Sequence, residues 1–320
     1  MRTAPASRSF SLGSDFRHEA LFYAGLDGWL EGTASFVREG LEANEPTFVV
    51  AGHRKLSALR AELGRGADLV QFADMEEVGL NPARIIPAWT DFLKRSGPEG
   101  RRVRGIGEPI WAERSPDELI ECQRHESLLN VAFADSPGWW LLCPYDVGEL
   151  GPEVLEEARR SHPFLWQSGA HTESLIYRDL ETAAAPFDVP LSAAPLSAEN
   201  VPLELNNLHL VREIVARAAS AHGLDEARAS DLVLSVNELA GNSLRHGGGA
   251  GTLRIWKQGR ALICEIEDSG HIDKPLVGRE RPATDQERGF GLWLVNQMCD
   301  LVQMRTFKTG SVVRLHMARA

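Results

Sequence analysis

The chain has 320 residues, 43% of them apolar and 25% charged, with a formal charge of −11. That length exceeds what one hydrophobic core usually serves, so two domains are expected. The acidic balance and the lack of a basic run argue against direct nucleic-acid binding, and no apolar stretch approaches the ~20 residues needed to cross a bilayer. The opening MRTAPASRSFSLGSDF has arginines but no apolar segment, so residues 1–15 read as a disordered tail and not a secretory signal. Cys122, Cys143, Cys264 and Cys299 are scattered in apolar contexts, which fits a reduced, cytoplasmic chain better than a disulfide framework.

From residue 16 to 178, strand-like and helix-like runs alternate. Asp27 to Ala43 carries Trp29, Phe36, Val37 and Leu41 at helical spacing. Glu45-Pro46 breaks that helix, and TFVVAG follows as a short buried strand. LVQF, VRGIGE and WWLLC are further strands. Pro82 to Lys94 reads as a helix. Pro116, after Ser115, opens a long helix to Phe133, and Pro152 opens another. The alternation predicts an α/β domain with a mostly parallel sheet. Residues 179–202 are rich in Ala, Pro and Ser without periodicity, the signature of a linker.

Residues 203–320 change order. Asn206 to His222 is one helix, and a second, capped near Asp225, runs to about Arg245. TLRIWK and ALICEIED form a hairpin around Gln258-Gly259-Arg260. A loop from Gly270 to about Gly289 precedes a helix from Gly291 to Leu301. VQMRTF and SVVRLHM close the chain as a hairpin around Lys308-Thr309-Gly310. This order predicts an α+β two-layer sandwich.

Three segments of that half carry chemistry. In SDLVLSVNELAGNSLRHG, Leu232, Val233, Val236, Leu239 and Ala240 make an apolar stripe. Asp231, Ser235, Glu238, Asn242 and Arg245 or His246 fall on the other side. Glu238 and Asn242 are four apart, so a carboxylate stacks above an amide; together they can accept a proton and ligate Mg²⁺, or simply form a solvated face. In ALICEIEDSG, alternation puts Asp268 at the end of the inward row Leu262, Cys264, Ile266, where it needs a donor such as an adenine amine, or serves a strand-end turn. Gly270 lets backbone approach a flat ligand. In ERGFGLWLVNQMCDLV, Gly289 and Gly291 stand before a helix whose free N–H groups and positive dipole end suit an anion; a plain turn is the alternative.

Glu-x-x-x-Asn, Asp-x-Gly and Gly-x-Gly-Leu, in that order within about 55 residues, resemble the GHKL or Bergerat ATP-binding fold. The N-box matches NELAGNSLRHG, the first glycine box EDSG, and the second ERGFGLWLV; GSVVRLHM is similar to the family's last strand. The resemblance implies ATP and Mg²⁺ as cofactors. It makes Glu238 the general base or nucleophile-orienting residue, Asn242 the Mg²⁺ ligand and Asp268 the adenine ligand. Gly270, Gly289, Gly291 and Leu292 would shape the pocket and phosphate lid, with Arg245 and His246 at the end of the N-box. One departure stands out: the family's Asp-x-Gly-x-Gly has His271-Ile272 after Gly270 here, which bears on lid geometry. Arg279 and Arg281 in the following loop either meet phosphate oxygens or are solvated charges.

A histidine kinase would carry a dimerising helix pair with a phosphorylatable histidine ahead of this fold. Here an Ala/Pro-rich stretch takes that place, and His209 lies on a single helix. The domain is instead similar to RsbW-like anti-sigma-factor serine kinases, whose partners are a sigma factor and an anti-anti-sigma STAS protein. The rivals are a sigma-sequestering protein that binds ATP without turnover and a histidine kinase lacking its usual helices.

HEALFY, GEPIWAERSPDELIECQRHESLLNVAF, WWLLCPYDVGEL and SHPFL resemble the MEDS sensory domain, a degenerate relative of the KaiC/RecA-type fold found ahead of such kinases in RsbA-type regulators. TFVVAGHRKLSAL lacks a P-loop. His18, Tyr23, Glu108, Glu126, Tyr145, Asp146 and His162 sit near element ends as candidates for a small-molecule ligand, and protein docking is the competing role. Cys122 and His125 lie three apart and offer a metal or redox site with Cys143 or His162, or act as packing. Dimers are common in the family, yet no heptad seam marks one here.

Overall fold

Short apolar strands bounded by helix starts set the architecture of the front half. The computed structural model describes residues 16–97, 101–136, 138–180, 182–282 and 289–319; the tail expected over 1–15 lies outside them. The front elements are β1 (Arg17–Tyr23), α1 (Gly25–Glu42), β2 (Thr47–Ala51), α2 (His53–Leu63), β3 (Val70–Asp74), α3 (Met75–Val78), α4 (Ile85–Ser96) and β4 (Val103–Gly107). Then come α5 (Pro116–Ala132), β5 (Trp139–Asp146), α6 (Pro152–Ser161), β6 (Phe164–Gln167) and β7 (Ala170–Glu173). α5 opens on a capping box. Ser115 Oγ accepts from the Glu118 N–H at 3.3 Å, and Glu118 Oε2 accepts from the Ser115 N–H at 2.8 Å.

The remaining elements are β8 (Glu199–Leu203), α7 (Leu208–His222), α8 (Glu226–His246), β9 (Gly251–Gln258), β10 (Ala261–Asp268), α9 (Phe290–Met298), β11 (Leu301–Phe307) and β12 (Gly310–Ala318). The chain divides into two units. One holds the described residues up to Asp74, with Phe92–Trp111 and Asn130–Tyr177. The other holds Met75–Asp91, Ala112–Leu129 and the described residues from Arg178 onward. Two stretches of the front half therefore fold with the second unit, which linear reading of the sequence does not reveal.

The first unit is built on a seven-stranded sheet of order β3-β2-β4-β5-β1-β6-β7. It is parallel except for β7, which pairs antiparallel to β6. β1, β6 and β7 escape the sequence reading. RHEALFY mixes His and Glu into a central strand that is buried along almost its whole length. Leu21, Trp29, Phe36, Val37, Ile106 and Leu142 belong to the core on one face of this sheet.

The second unit is an antiparallel sheet of order β11-β12-β10-β9-β8. The row Leu262, Cys264, Ile266 joins Val302, Met304, Val313 and Leu315 against Val215, Val236, Leu239 and Val295 from α7, α8 and α9. α7 ends at Gly223 in the left-handed region (φ 86°), where its N–H and that of Leu224 return to the Ala219 carbonyl. α8 starts at Asp225, whose carboxylate accepts from the Arg228 N–H at 2.9 Å.

The other face of this sheet is polar but covered, so the expected two layers become three. Glu265 faces Arg314 on β12 and Arg254 on β9 in direct register, and bonds to both. The Ala/Pro/Ser-rich stretch lies on this face. Ser192 Oγ accepts from Arg314 at 3.0 Å, the Val189 carbonyl accepts from Arg305 at 3.2 Å, and residues 199–203 add β8 to the edge. The N-terminal part of α5 also packs here. Glu121 accepts from Arg305 Nη1 at 2.7 Å and from Arg279 Nη2 at 3.1 Å, with all three side chains at most 3% exposed. Arg279 is thus held inside the protein and does not face phosphate. Burial lowers its pKa to about 10, against the pull of Glu121.

Removing the carboxylate leaves two buried guanidiniums without a counter-charge. Glu121→Ala is expected to destabilise the second unit by about 3–5 kcal/mol, read from urea unfolding. His316, on the same polar face beside Gln303, is pushed down from 6.5 to about 4 by burial. Its unfolded form binds the proton more readily, so its stability contribution is present above pH 6.5 and lost as pH falls toward 4. His316→Gln should therefore flatten the unfolding midpoint over that range, by up to about 3 kcal/mol at its acid end.

Candidate functional site

α8 places Glu238 and Asn242 one turn apart on the same half-buried face, as their spacing requires. Ser235, expected on that face, is instead buried, and its hydroxyl donates back to the Asp231 carbonyl at 2.7 Å. The first turn of α9 lies against Glu238 and Asn242. A Cβ built on Gly291 would stand 2.9 Å from Glu238 Oε2 and 3.5 Å from Asn242 Nδ2. Glycine is what lets the helix start come this close. Gly289 caps α9 with φ 103°, a left-handed conformation that disfavours side chains. Leu292 follows on the first turn, half-buried.

Asp268 ends β10 on the core-facing row, as alternation predicts. Its Oδ1 accepts from the Gly270 N–H at 2.8 Å and from Ser311 Oγ at 2.9 Å. The carboxylate sits over the bare Cα of Gly247, where a Cβ would stand 2.5 Å from Oδ2. A Cβ on Gly270 would stand 2.9 Å from the His246 carbonyl, so the end of α8 and the end of β10 meet through two glycines. Gly247 is missed by the sequence reading; the run Gly247-Gly248-Gly249 at the end of α8 is its only signal.

The side chains of Arg245 and His246 are exposed. Arg245 Nη2 donates to Asn242 Oδ1 at 3.0 Å. His271 is also exposed. Its Nδ1 meets Thr306 Oγ1 at 2.8 Å and its Nε2 lies 3.2 Å from Asp273. Among the described residues only Asn44 and Ser168 take a positive φ without being glycine, so the His271 position makes no demand for one.

α9 is held at its far end too. Asn81 Nδ2 and Arg84 Nε each donate to the Asn296 carbonyl at 3.0 Å, and Arg84 Nη2 donates to the Cys299 carbonyl at 2.9 Å. Donors at a helix C-terminus satisfy carbonyls that the helix itself leaves open.

In the first unit the candidate residues separate. Tyr23, Glu108 and Asp146 lie at or just past the carboxyl ends of β1, β4 and β5, three strands side by side. β1 is where strand order reverses, and that edge is where open α/β sheets bind ligands. Tyr23 Oη donates to Glu108 Oε1 at 2.6 Å, and Lys55 Nζ donates to both at 2.7 Å. Lys55, unnoticed in the sequence, is the cation of this group. Burial raises the pKa of Glu108, opposed by Lys55; burial and then Glu108 raise that of Tyr23. The Asp146 carboxylate accepts from the backbone N–H of Gly25 at 3.2 Å and of Gly148 at 2.9 Å, so it is bound up in the start of α1. A cavity of about 460 Å³ opens beside Tyr23, lined by Gly28, Gly32, Val147 and Trp166. His18, Tyr145 and His162 lie together away from this cavity's lining, with ring centroids 4.0 Å apart for His18–His162 and 5.5 Å for Tyr145–His162. Glu126 is buried on the part of α5 that belongs to the second unit.

Residues 17–163 match the family described as MEDS, the methanogen/methylotroph, DcmR sensory domain. Residues 201–317 match the histidine kinase-like ATPase domain. The chain therefore joins a MEDS sensory domain to a GHKL-like ATPase domain, whose nucleotide is ATP. No curated protein matches the chain. It is similar to the crystal structure of the RsbU and RsbW domains of a Mycobacterium tuberculosis protein, with 16% identity and a TM-score of 0.30. That match covers 39% of this chain and 33% of the other, so it spans about a third of that protein's length. It is also similar to the Acinetobacter baumannii histidine kinase AdeS, with 18% identity, a TM-score of 0.22 and coverage of 38% and 68%. Among the described residues no helix is long and apolar enough to cross a membrane.

The geometry fits an adenine nucleotide with its magnesium. Glu238 and Asn242 offer oxygens beside a glycine that a Cβ would fill, at the opening of a helix N-terminus. Gly291→Ala is expected to weaken Mg–ATP binding by about tenfold, or ~1.4 kcal/mol, while the far-ultraviolet dichroism of the full chain stays unchanged. Calorimetric titration of the two proteins checks it.

Proposed function

We propose that the protein is a cytoplasmic, ATP-dependent protein serine kinase and anti-sigma factor governed by its front sensory domain. Its substrate is a serine on an anti-anti-sigma STAS partner, and its held partner is a sigma factor. The observation that carries the reading is the approach of Gly291 to Glu238 and Asn242, which sets a carboxylate and an amide at the N-terminus of α9, where a phosphate would bind. Glu238 would orient or deprotonate the attacking hydroxyl. Asn242 would hold Mg²⁺, and Asp268 would receive the adenine amine. Magnesium, when bound, supplies charge neutralisation at the transferring phosphoryl oxygens; phosphoryl transfer needs little beyond positioning and such charge.

The sheet order of the first unit, with β1 in its interior and an antiparallel last strand, supports a degenerate KaiC/RecA-like fold for the sensory domain. The strand-end cavity beside Tyr23 supports a small-molecule signal. Residues 16–178 would then sense and 203–320 transfer, in a chain that can pair with a second copy. One observation favours a sequestering protein without turnover: Asn242 Oδ1, the intended magnesium ligand, accepts from Arg245.

The test uses full-length protein, radiolabelled ATP with Mg²⁺, and STAS-domain substrates. Acid-stable label on a substrate serine is expected, falling about 10²–10⁴-fold in Glu238→Ala while nucleotide binding persists. Binding without transfer leaves the sequestering reading. Acid-labile label on the chain itself makes it a histidine kinase.

A further inference from the structure

The first unit holds one group of chemically reactive side chains that neither the nucleotide site nor the strand-end cluster uses. His18 on β1, Cys143 on β5 and His162 just after α6 are at most 1% exposed. Register brings the first two together. Ala20 pairs with Cys143 across the parallel strands, and His18 lies two residues before Ala20, hence on the same sheet face. One ring nitrogen of each histidine and the Cys143 Sγ lie within 4.8 Å of one another.

The hydrogen bonds around the rings determine which nitrogen faces the group. Asn130 Nδ2 donates to the Ser161 carbonyl at 2.6 Å, which turns its Oδ1 toward His18 Nδ1 at 3.0 Å. An amide oxygen only accepts, so His18 Nδ1 carries the proton and Nε2 the lone pair. That Nε2 stands 3.3 Å from Cys143 Sγ. His162 Nδ1 lies 2.7 Å from the Ala158 carbonyl, so it too is protonated there and presents Nε2 as its acceptor. Two imidazoles fixed through Nδ1–H to carbonyl oxygens, one of them with its Nε2 beside a thiol, are how proteins orient metal ligands. Phe16 stacks on His18 at 5.6 Å, and Tyr145 meets His162 edge-on, so aromatic rings flank both histidines.

We propose that His18, Cys143 and His162 form a site for a zinc-class divalent cation. Two nitrogens and one sulfur suit such a borderline-soft ion, whereas magnesium and calcium require oxygens. Binding converts the Cys143 thiol to thiolate, its proton leaving to solvent. Of the four residues the sequence offered for such a site, Cys143 and His162 belong to the group, and Cys122 and His125 do not. Asn130 acts as a positioning residue through His18.

Cobalt substitution of the full-length protein tests the site. One cobalt per chain is expected, with the visible spectrum of a tetrahedral ion and a thiolate-to-cobalt charge-transfer band in the near ultraviolet. The band should vanish in Cys143→Ser and persist in Cys122→Ser. Zinc should raise the thermal midpoint of the wild-type chain, and a chelator should reverse it. No stoichiometric uptake by the wild-type chain, a spectrum without thiolate, or a band that survives Cys143→Ser overturns the proposal. The wild-type spectrum decides by itself if a variant fails to fold.

Discussion

The second unit depends on a close approach between a helix start and a carboxylate. α9 can rest on Glu238 and Asn242 only because position 291 has no side chain. A matching approach joins the end of α8 to Asp268 through Gly247. The two contacts lie at successive points along α8, so one helix sets the spacing between the start of α9 and the end of β10. The apolar stripe on its opposite face fixes the rotation of that helix through Leu232, Val236 and Leu239. Site and core are thus two faces of one amphipathic segment.

That link explains what could be read from sequence. Periodicity locates α8 because its stripe is regular, and the stripe locates the polar face by elimination. Strand alternation places Asp268 for the same reason. What stayed hidden lacks such a pattern. β1 is buried from His18 to Tyr23 yet carries His18 and Glu19, so no apolar run announces it. The face of the second sheet bearing Glu265, Arg305 and Arg314 looks like a solvent face in text, since alternation reports polarity and not cover. Its cover comes from residues 185–198 and from α5, both distant in sequence or devoid of period. Arg279 was misplaced for that reason: its partner Glu121 is 158 residues away.

The first unit contains two polar groups of opposite character. Tyr23, Lys55 and Glu108 form a short-bonded charged cluster at the strand ends. His18, Cys143 and His162 form a nitrogen- and sulfur-rich one flanked by aromatic rings. Buried polar groups persist only when their bonding capacity is met. The first cluster meets it with an ammonium, and the second with backbone and amide carbonyls around the rings.

The hold that Asn81 and Arg84 keep on the last turn of α9 bears on how the chain can be cut. The ATPase family match begins at residue 201, yet the donors to the Asn296 and Cys299 carbonyls, and the carboxylate that neutralises Arg279 and Arg305, all precede it. A fragment trimmed to the match would leave two buried cations without their counter-charge and let α9 fray from its tail. The smallest piece that keeps the ATPase-like unit intact is discontinuous in sequence, and no single truncation point produces it.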